Sequence, residues 1–510
     1  MENFLYGLTG RVVIPSNPIY NEARQGYNRA IQQYPLIIDY CRNKRDVANA
    51  VIWSRKFHVP LRVRNGGHNY EGYSNGDCTL IIDVSEMTCI DLDECKGQLT
   101  IQGGVTNRQV YEFVSSKGYP FPGGTCLTVG VGGYAMGGGW GLSCRYLGLG
   151  CDSLEEIELV NDEGDIIKAG RSCNADLFWA CRGAGGGNFG VIVSMVFRLP
   201  PKAEYVTLIE IDYLHVRPEE QLEFLQTWQE WLGEADPRIT LISRIYNSES
   251  DGLAMLVRGI FYGRPKEAER IVRPFLKLAE AEYSIESMTF LEAVTIIGSS
   301  YPSFERFQSA SRFVLRDFNE REISEIVGLI QERPLGSVFA GLSMYALGGK
   351  VREVEKDATA FFYRNAHYII WLETVWEENR FAQENRDWIS RRFPTLESVT
   401  TGSYVNFPYN KLPDYLEEYY GTHVERLKEI KKKYDPLNLF TFPQGIGGTE
   451  HPIEELRGYL DDDTSAKRFD ETIYRGFRYV KSNAEKKELP QISFTRKIVC
   501  GDKEHPGHRN

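Results

Sequence analysis

The stretch GGTCLTVGVGGYAMGGGWG, from Gly123 to Gly141, sets nine glycines in nineteen residues around one thiol, Cys126. Glycine at this density gives up regular structure, at about 1 kcal/mol per residue in a helix interior. In exchange, a backbone without Cβ atoms can wrap a flat or polyanionic ligand closely and offer it N–H groups. The alternative reading is a set of turns packed against a neighbouring strand. Gly130, Gly132 and Ala135, with Asp152 about twenty residues on, have the spacing of a dinucleotide fingerprint. That fingerprint must follow a strand and open a helix, yet Pro120 and Pro122 precede this one, and Gly137, Gly138 and Gly139 would fall inside the helix. No Lys-Ser or Lys-Thr pair follows the glycines, so a Walker loop is excluded.

Two more glycine loops occur. RVRNGGHNYEGYS, from Arg62 to Ser74, sets His68 just after a glycine pair at the exit of a short strand, and RGAGGGNFG, from Arg182 to Gly190, feeds the apolar run GVIVSMVFRLP. Three such loops at strand ends fit one large nucleotide cofactor.

The chain has 510 residues, enough for a sizeable core and a prior of roughly three domains. At 42% hydrophobic and 25% charged it reads as an ordinary globular protein. A net charge of −11 and the lack of a Lys/Arg block speak against nucleic acid as a partner. No apolar run reaches spanning length and the N-terminus lacks a basic region followed by an apolar one, so no membrane partner is expected and the cytoplasm is the expected compartment. The ten cysteines are expected to be reduced. Their spacing, for example Cys144 with Cys151 or Cys173 with Cys181, matches no zinc pattern, so no metal is expected.

Apolar periodicity predicts helices over Asp46–Arg55 and Asn107–Lys117, strands at PLRVR and TLIIDVS, and a hairpin turning at Asp162, Glu163 and Gly164. Pro200 and Pro201 mark a first boundary. Beyond them, YVTLIEIDYLHV, AMLVRGIFYG, AHYIIWLETVW and the helical PEEQLEFLQTWQEWLG suggest an α+β domain. THVERLKEIKKKYDP reads as a basic-faced helix stopped by Asp435 and Pro436, and the residues from Gly447 on as a charged extension. The acidic clusters Asp461 to Asp463 and Glu377 with Glu378 read as solvated faces.

Together, IIDYCRNKRDVANAVIWSRKFHVPLRVRNGGHNYEGYS, GGTCLTVGVGGYAMGGGWG, RGAGGGNFGVIVS, SYVNFPYN and RLKEIKKKYDPLNLFTFPQGI resemble the berberine-bridge-enzyme-like family of FAD-linked oxidases, over about residues 5 to 446. The resemblance implies an α+β fold. A PCMH-type (vanillyl-alcohol-oxidase-type) FAD domain of two subdomains is expected over 5–200, a substrate domain with a helix-covered antiparallel sheet over 201–400, and a motif over 401–446 that returns to the FAD domain, with 447–510 as extension. It also implies FAD joined to His68 through the 8α-methyl carbon and to Cys126 through the sixth ring carbon; Cys144, not followed by a TVGxGG run, is left as a packing residue. Further flavin-contacting positions implied are Arg64, Asn65, Gly66, Gly67, Tyr70, Ser74, Gly124, Thr128, Val129, Gly130, Gly133, Gly137, Val191, Asn406 and Gln444. Val129, at the position that gates oxygen, implies O2 as acceptor and H2O2 as product.

Oxidising an alcohol requires a base within reach of its hydroxyl. Tyr404 matches a family position that serves this purpose, and Glu373 lies where some members carry a carboxylate; either is the base, or Glu373 tunes Tyr404. The plainer readings are a ring packed beside the cofactor and a solvated strand residue. Tyr70 and Trp371 are the candidate substrate contacts, and Trp376 and the many tyrosines could stack on a pyranose or an aromatic ring equally well. The expected reaction is oxidation of a sugar or oligosaccharide at its anomeric carbon. The alternatives are an aromatic alcohol or secondary metabolite as substrate, or a flavin-binding dehydrogenase or sensor that reacts poorly with oxygen. Oligomeric state stays open.

Overall fold

The computed structural model describes residues 5–448, so the charged extension, apart from its first two positions, lies outside the described residues, as do Asp461 to Asp463. Three sheets are built among them. The first contains β1 (Arg11–Val13), β2 (Ile37–Tyr40), β3 (Leu61–Arg64) and β4 (Leu80–Asp83) in the order β1-β2-β4-β3. The β2, β4 and β3 strands are parallel, and Ile37, Ile38 and Leu80 to Ile82 are buried without alternation, as a sheet covered on both faces requires. The crossover after β2 is the helix Lys44–Phe57, two residues longer at each end than its apolar pattern. Asn43 caps it by accepting from the Arg45 and Asp46 amides, and His58 closes it at φ 51°.

The second sheet is antiparallel. It holds β5 (Ile90–Asp93), β6 (Gln98–Gln102), β7 (Leu154–Val160), β8 (Ile166–Gly170) and β9 (Val191–Arg198), ordered β5-β6-β9-β7-β8. The expected hairpin joins β7 to β8, and Asn161 Oδ1 accepts from the Glu163 and Asp165 amides to form its turn. Along β9, Val191, Val193, Met195 and Phe197 are buried in strict alternation.

The Gly123 to Gly141 loop bridges these sheets to the rest. It contains one helix, Val131–Met136, which opens at Gly130 with no strand before it and ends where Gly137 begins. The glycines that argued against a dinucleotide helix therefore end it. At Gly138, φ is 111° and an added Cβ would lie 2.7 Å from the Phe361 ring.

The third sheet has seven antiparallel strands: β10 (Tyr205–Tyr213), β11 (Ile239–Ser248), β12 (Gly252–Phe261), β13 (Glu282–Thr289), β14 (Phe307–Val314), β15 (Ser337–Ala346) and β16 (Tyr368–Trp376), in the order β13-β10-β12-β11-β15-β16-β14. Every residue of β16 is buried, because both of its faces are covered. Tyr368 and Thr374 meet the helices Pro218–Glu234 and Ala382–Ser398 through Trp228 and Asn385. Trp371, Glu373 and Val375 point the other way.

After Thr401 the chain returns to the first two sheets. Phe440 packs in the core of the parallel sheet, and Tyr420 Oη donates to Ala184 O in the third glycine loop. The helix Val424–Tyr434 was expected to carry its bases outward, but Lys431 turns in. Its buried Nζ donates to Asn188 O and Phe440 O at 2.7 Å and to Asp435 Oδ2 at 2.5 Å. The ammonium thus ties the third glycine loop to the C-terminal segment. Lys431→Ala would leave the Asp435 carboxylate buried and unpaired. Urea unfolding is expected to show a loss of about 3–5 kcal/mol, with the midpoint lowered.

Candidate active site

The glycine loops and the inner face of the third sheet enclose a cavity of about 590 Å³. All the flavin, substrate and base positions read from the sequence line it except Arg64, Thr128, Gly137 and Val191. Each exception has a structural reason. Arg64 is committed to a buried ion pair, its Nε 2.5 Å from Asp83 Oδ2 across the parallel sheet. Val191 points into the core shared by the first two sheets. Gly137 leaves room for a neighbour, since a Cβ there would lie 2.0 Å from Asn406 Oδ1. Thr128 is exposed outside the cavity lining and touches both expected attachment residues. Its Oγ1 is 2.8 Å from His68 Nε2 and 3.4 Å from Cys126 Sγ.

The imidazole of His68 stacks on Tyr27 with ring centroids 4.4 Å apart. Burial pushes its pKa down to about 4, so the ring is neutral at neutral pH. Cys126 is held through its own carbonyl, which accepts from Asn107 Nδ2 at 3.0 Å. Cys144, by contrast, is buried with its thiol on Ala346 O, outside the cavity.

The phenol of Tyr404 is buried among Phe313, Phe361 and Phe407. Its oxygen accepts from the Gly139 amide at 3.0 Å, the Trp140 amide at 3.1 Å and Asn406 Nδ2 at 3.0 Å. Burial pushes this phenol up to about 12 against the pull of those donors. Even as a phenolate the oxygen has three lone-pair directions, and all are taken by the protein. Asn406 gives its second proton to Tyr134 O, so this unit ties the C-terminal segment to the glycine loop.

Glu373 is buried on β16 rather than solvated. Its Oε1 has no hydrogen-bond partner among the described residues and lies 3.4 Å from an Arg244 guanidinium nitrogen. Burial pushes the carboxyl up to about 8; Arg244 opposes the shift and Glu305 adds to it. Arg244, from β11, is oriented by Ser343 Oγ at 2.8 Å and stands over the Phe339 ring. Glu305 also lines the cavity, pushed up to about 7 by burial. Tyr70 stacks between Trp371 and Phe407, at 5.4 and 5.3 Å, so these rings form one apolar wall. Trp376 turns away from that wall and is fully buried.

Sequence reading missed Arg244, Glu305, Tyr27, Tyr301 and Tyr345, all of which line the cavity. Arg244 carried a signal, as a cation inside the apolar strand ITLISRIYNS that has to be paired if buried. Glu305 and the tyrosines carried none.

A flavin dinucleotide fits this architecture. Gly66 comes so close to the central loop that a Cβ would lie 2.7 Å from Gly130 N and Thr128 O. Gly133 faces open space within the cavity lining, and the buried Asn65 Oδ1 has no partner among the described residues. Arg62, a cation beside this part of the cavity, is spent on the carbonyls of Leu61 and Thr441. A polyanion there would be met chiefly by loop amides. No group of three or more His, Cys, Asp or Glu able to hold a metal ion occurs among the described residues, and no helix among them is long and apolar enough to cross a membrane.

Comparison with known proteins agrees with this reading. The FAD binding domain family matches residues 35–170, and the berberine and berberine-like family matches residues 403–447. The chain is 36% identical over 447 residues to the uncharacterized FAD-linked oxidoreductase YgaK of Bacillus subtilis, covering 86% of this chain and 97% of that one. Among solved structures, BBE-like 1 of Physcomitrella patens is similar with a TM-score of 0.81 and 25% identity, over 88% of this chain and 99% of its own. Xylooligosaccharide oxidase from Myceliophthora thermophila, solved with xylobiose, shares the fold at a TM-score of 0.77 and 22% identity, over 88% and 99% of the two chains.

Tyr404→Phe would strip two buried amides of their acceptor, at a cost of about 1–3 kcal/mol for each unpaired group. Thermal melting is expected to fall by several degrees while the pH dependence of turnover keeps its wild-type shape. A profile that loses its rise with pH would instead make Tyr404 the base.

Proposed function

Because the chain belongs to the berberine bridge enzyme-like family of FAD-linked oxidoreductases, we propose that it oxidises the alcohol or hemiacetal carbon of a sugar or oligosaccharide, with Glu373 as base. The observation that carries the reading is a buried carboxyl with a free oxygen, paired with an arginine, in the same cavity as His68 and Cys126. His68 and Cys126 would hold FAD covalently, and the bound flavin would supply the two-electron acceptor, with O2 as final oxidant and H2O2 as product.

The protein's own part is to bind, orient and take a proton. Glu373 Oε1 accepts the hydroxyl proton, and Arg244 keeps the carboxyl ionisable at a depth where burial alone would keep it protonated. Tyr404 and Asn406 hold the glycine loop in place and leave the proton to Glu373. The wall of Tyr70, Trp371 and Phe407 offers an apolar surface to a pyranose face, while Glu305 and Arg244 offer hydrogen bonds to its hydroxyls. Val129, which lines the cavity beside Gly130, is small enough to leave oxygen a route to the flavin. The described cysteines are free, in keeping with a cytoplasmic setting.

Anaerobic mixing with a panel of mono- and oligosaccharides, followed by flavin bleaching, tests the substrate class. Bleaching by aromatic alcohols alone would replace sugars with the alternative substrates. Glu373→Gln is expected to slow bleaching by about 100-fold or more. Because the base is the carboxylate, kcat/KM rises with pH and levels off above about 8, and Arg244→Met moves that limb to higher pH. Val129→Leu is expected to slow reoxidation by O2 and leave bleaching unchanged; slowed bleaching would remove the gate reading and favour a dehydrogenase.

A further inference from the structure

Resting on the reading that FAD is joined to both His68 and Cys126, we propose that Thr128 is the positioning residue that readies both attachment atoms at once, accepting a hydrogen bond from His68 Nε2–H and donating its own proton to the sulfur of Cys126. Its hydroxyl oxygen is within reach of both, 2.8 Å from the ring nitrogen and 3.4 Å from the sulfur. It does not line the cavity, so it acts through its two neighbours.

A hydroxyl has one proton to give and two lone pairs; apart from the arrangement in which both neighbours donate to it and the sulfur keeps its hydrogen, two arrangements are consistent. In the first, Thr128 donates to Nε2 and the thiol donates to Thr128. The imidazole proton then sits on Nδ1, whose lone pair is lost, and the sulfur keeps its hydrogen. In the second, Nε2–H donates to Thr128 and Thr128 donates to sulfur. Nδ1 is then bare, and the sulfur receives a hydrogen bond from Thr128. The second arrangement alone suits both atoms for attachment.

Three features hold the geometry. Burial keeps His68 neutral, with one ring proton to place. Stacking on Tyr27 fixes the ring plane. Leu127 is buried in the core and anchors the turn that carries residues 126 and 128, and the β-branched threonine is stiff at χ1.

The bookkeeping closes with dioxygen as oxidant. Each attachment replaces one protein N–H or S–H and one flavin C–H with an N–C or S–C bond. The two protons and two electrons released reduce one O2 to H2O2. The proton lost from His68 is the one on Nε2, and it ends on the peroxide.

The test is peptide mass analysis of protein purified with its flavin. The wild type and Thr128→Ser, which keeps the hydroxyl, are expected to carry flavin on both the His68 and the Cys126 peptides. Thr128→Val, nearly the same shape, is expected to bind flavin that acid releases, with attachment at Cys126 lowered about tenfold or more and attachment at His68 also reduced. Thr128→Ala repeats the measurement if the valine variant melts early. Attachment in Thr128→Val equal to wild type overturns the proposal, as does a serine variant that behaves like valine. Wild-type peptides free of flavin would overturn the attachment reading itself, a result distinct from either of these.

Discussion

Beyond its one short helix and its turns, the central glycine loop is shaped by polar groups brought from far along the chain. The Tyr404 oxygen gathers the amides of Gly139 and Trp140, more than 260 positions away, and Asn406 reaches back to Tyr134 O through the space left by Gly137. Tyr111 Oη and Asn107 Nδ2 take the carbonyls of Gly124 and Cys126 from the other side. A glycine-rich loop is thereby specified by partners outside it. Its freedom is spent on close approach rather than on motion.

Charge at the site follows the same economy of placement. The cavity joins two regions with opposite requirements. Around His68 burial keeps the imidazole neutral, which suits a nucleophile. Around Glu373 burial would neutralise the carboxyl, and Arg244 from a neighbouring strand holds it near the working range. One desolvated space therefore supports a neutral nitrogen at one end and a proton acceptor at the other, because a single guanidinium is aimed at only one of them.

Much of the fold was legible. Two of the parallel strands were legible as the short buried segments PLRVR and TLIIDVS, and the first long helix by its apolar period from Asp46 to Arg55; its Asn43 cap emerged only in the structure. The glycine-rich segments and His68 were legible because each breaks a local rule without local compensation. Arg244 showed only as a charge in an apolar strand, and Glu305 showed not at all. The reach of Lys431 into the core was opposite to its reading, since a run of lysines has no period that marks the inward one.

The sequence by itself determined the three glycine loops, the thiol and imidazole within them, and the family whose FAD they serve, because those features are written in residue types at fixed local spacing. The tertiary structure alone decided that Tyr404 braces the loop and that Glu373 keeps a free oxygen beside Arg244. It also decided that Thr128 stands between His68 and Cys126. Each of these depends on which polar groups the fold brings within about 3 Å of one another, and hydrogen-bond partners dozens or hundreds of residues apart leave no periodic trace in the chain.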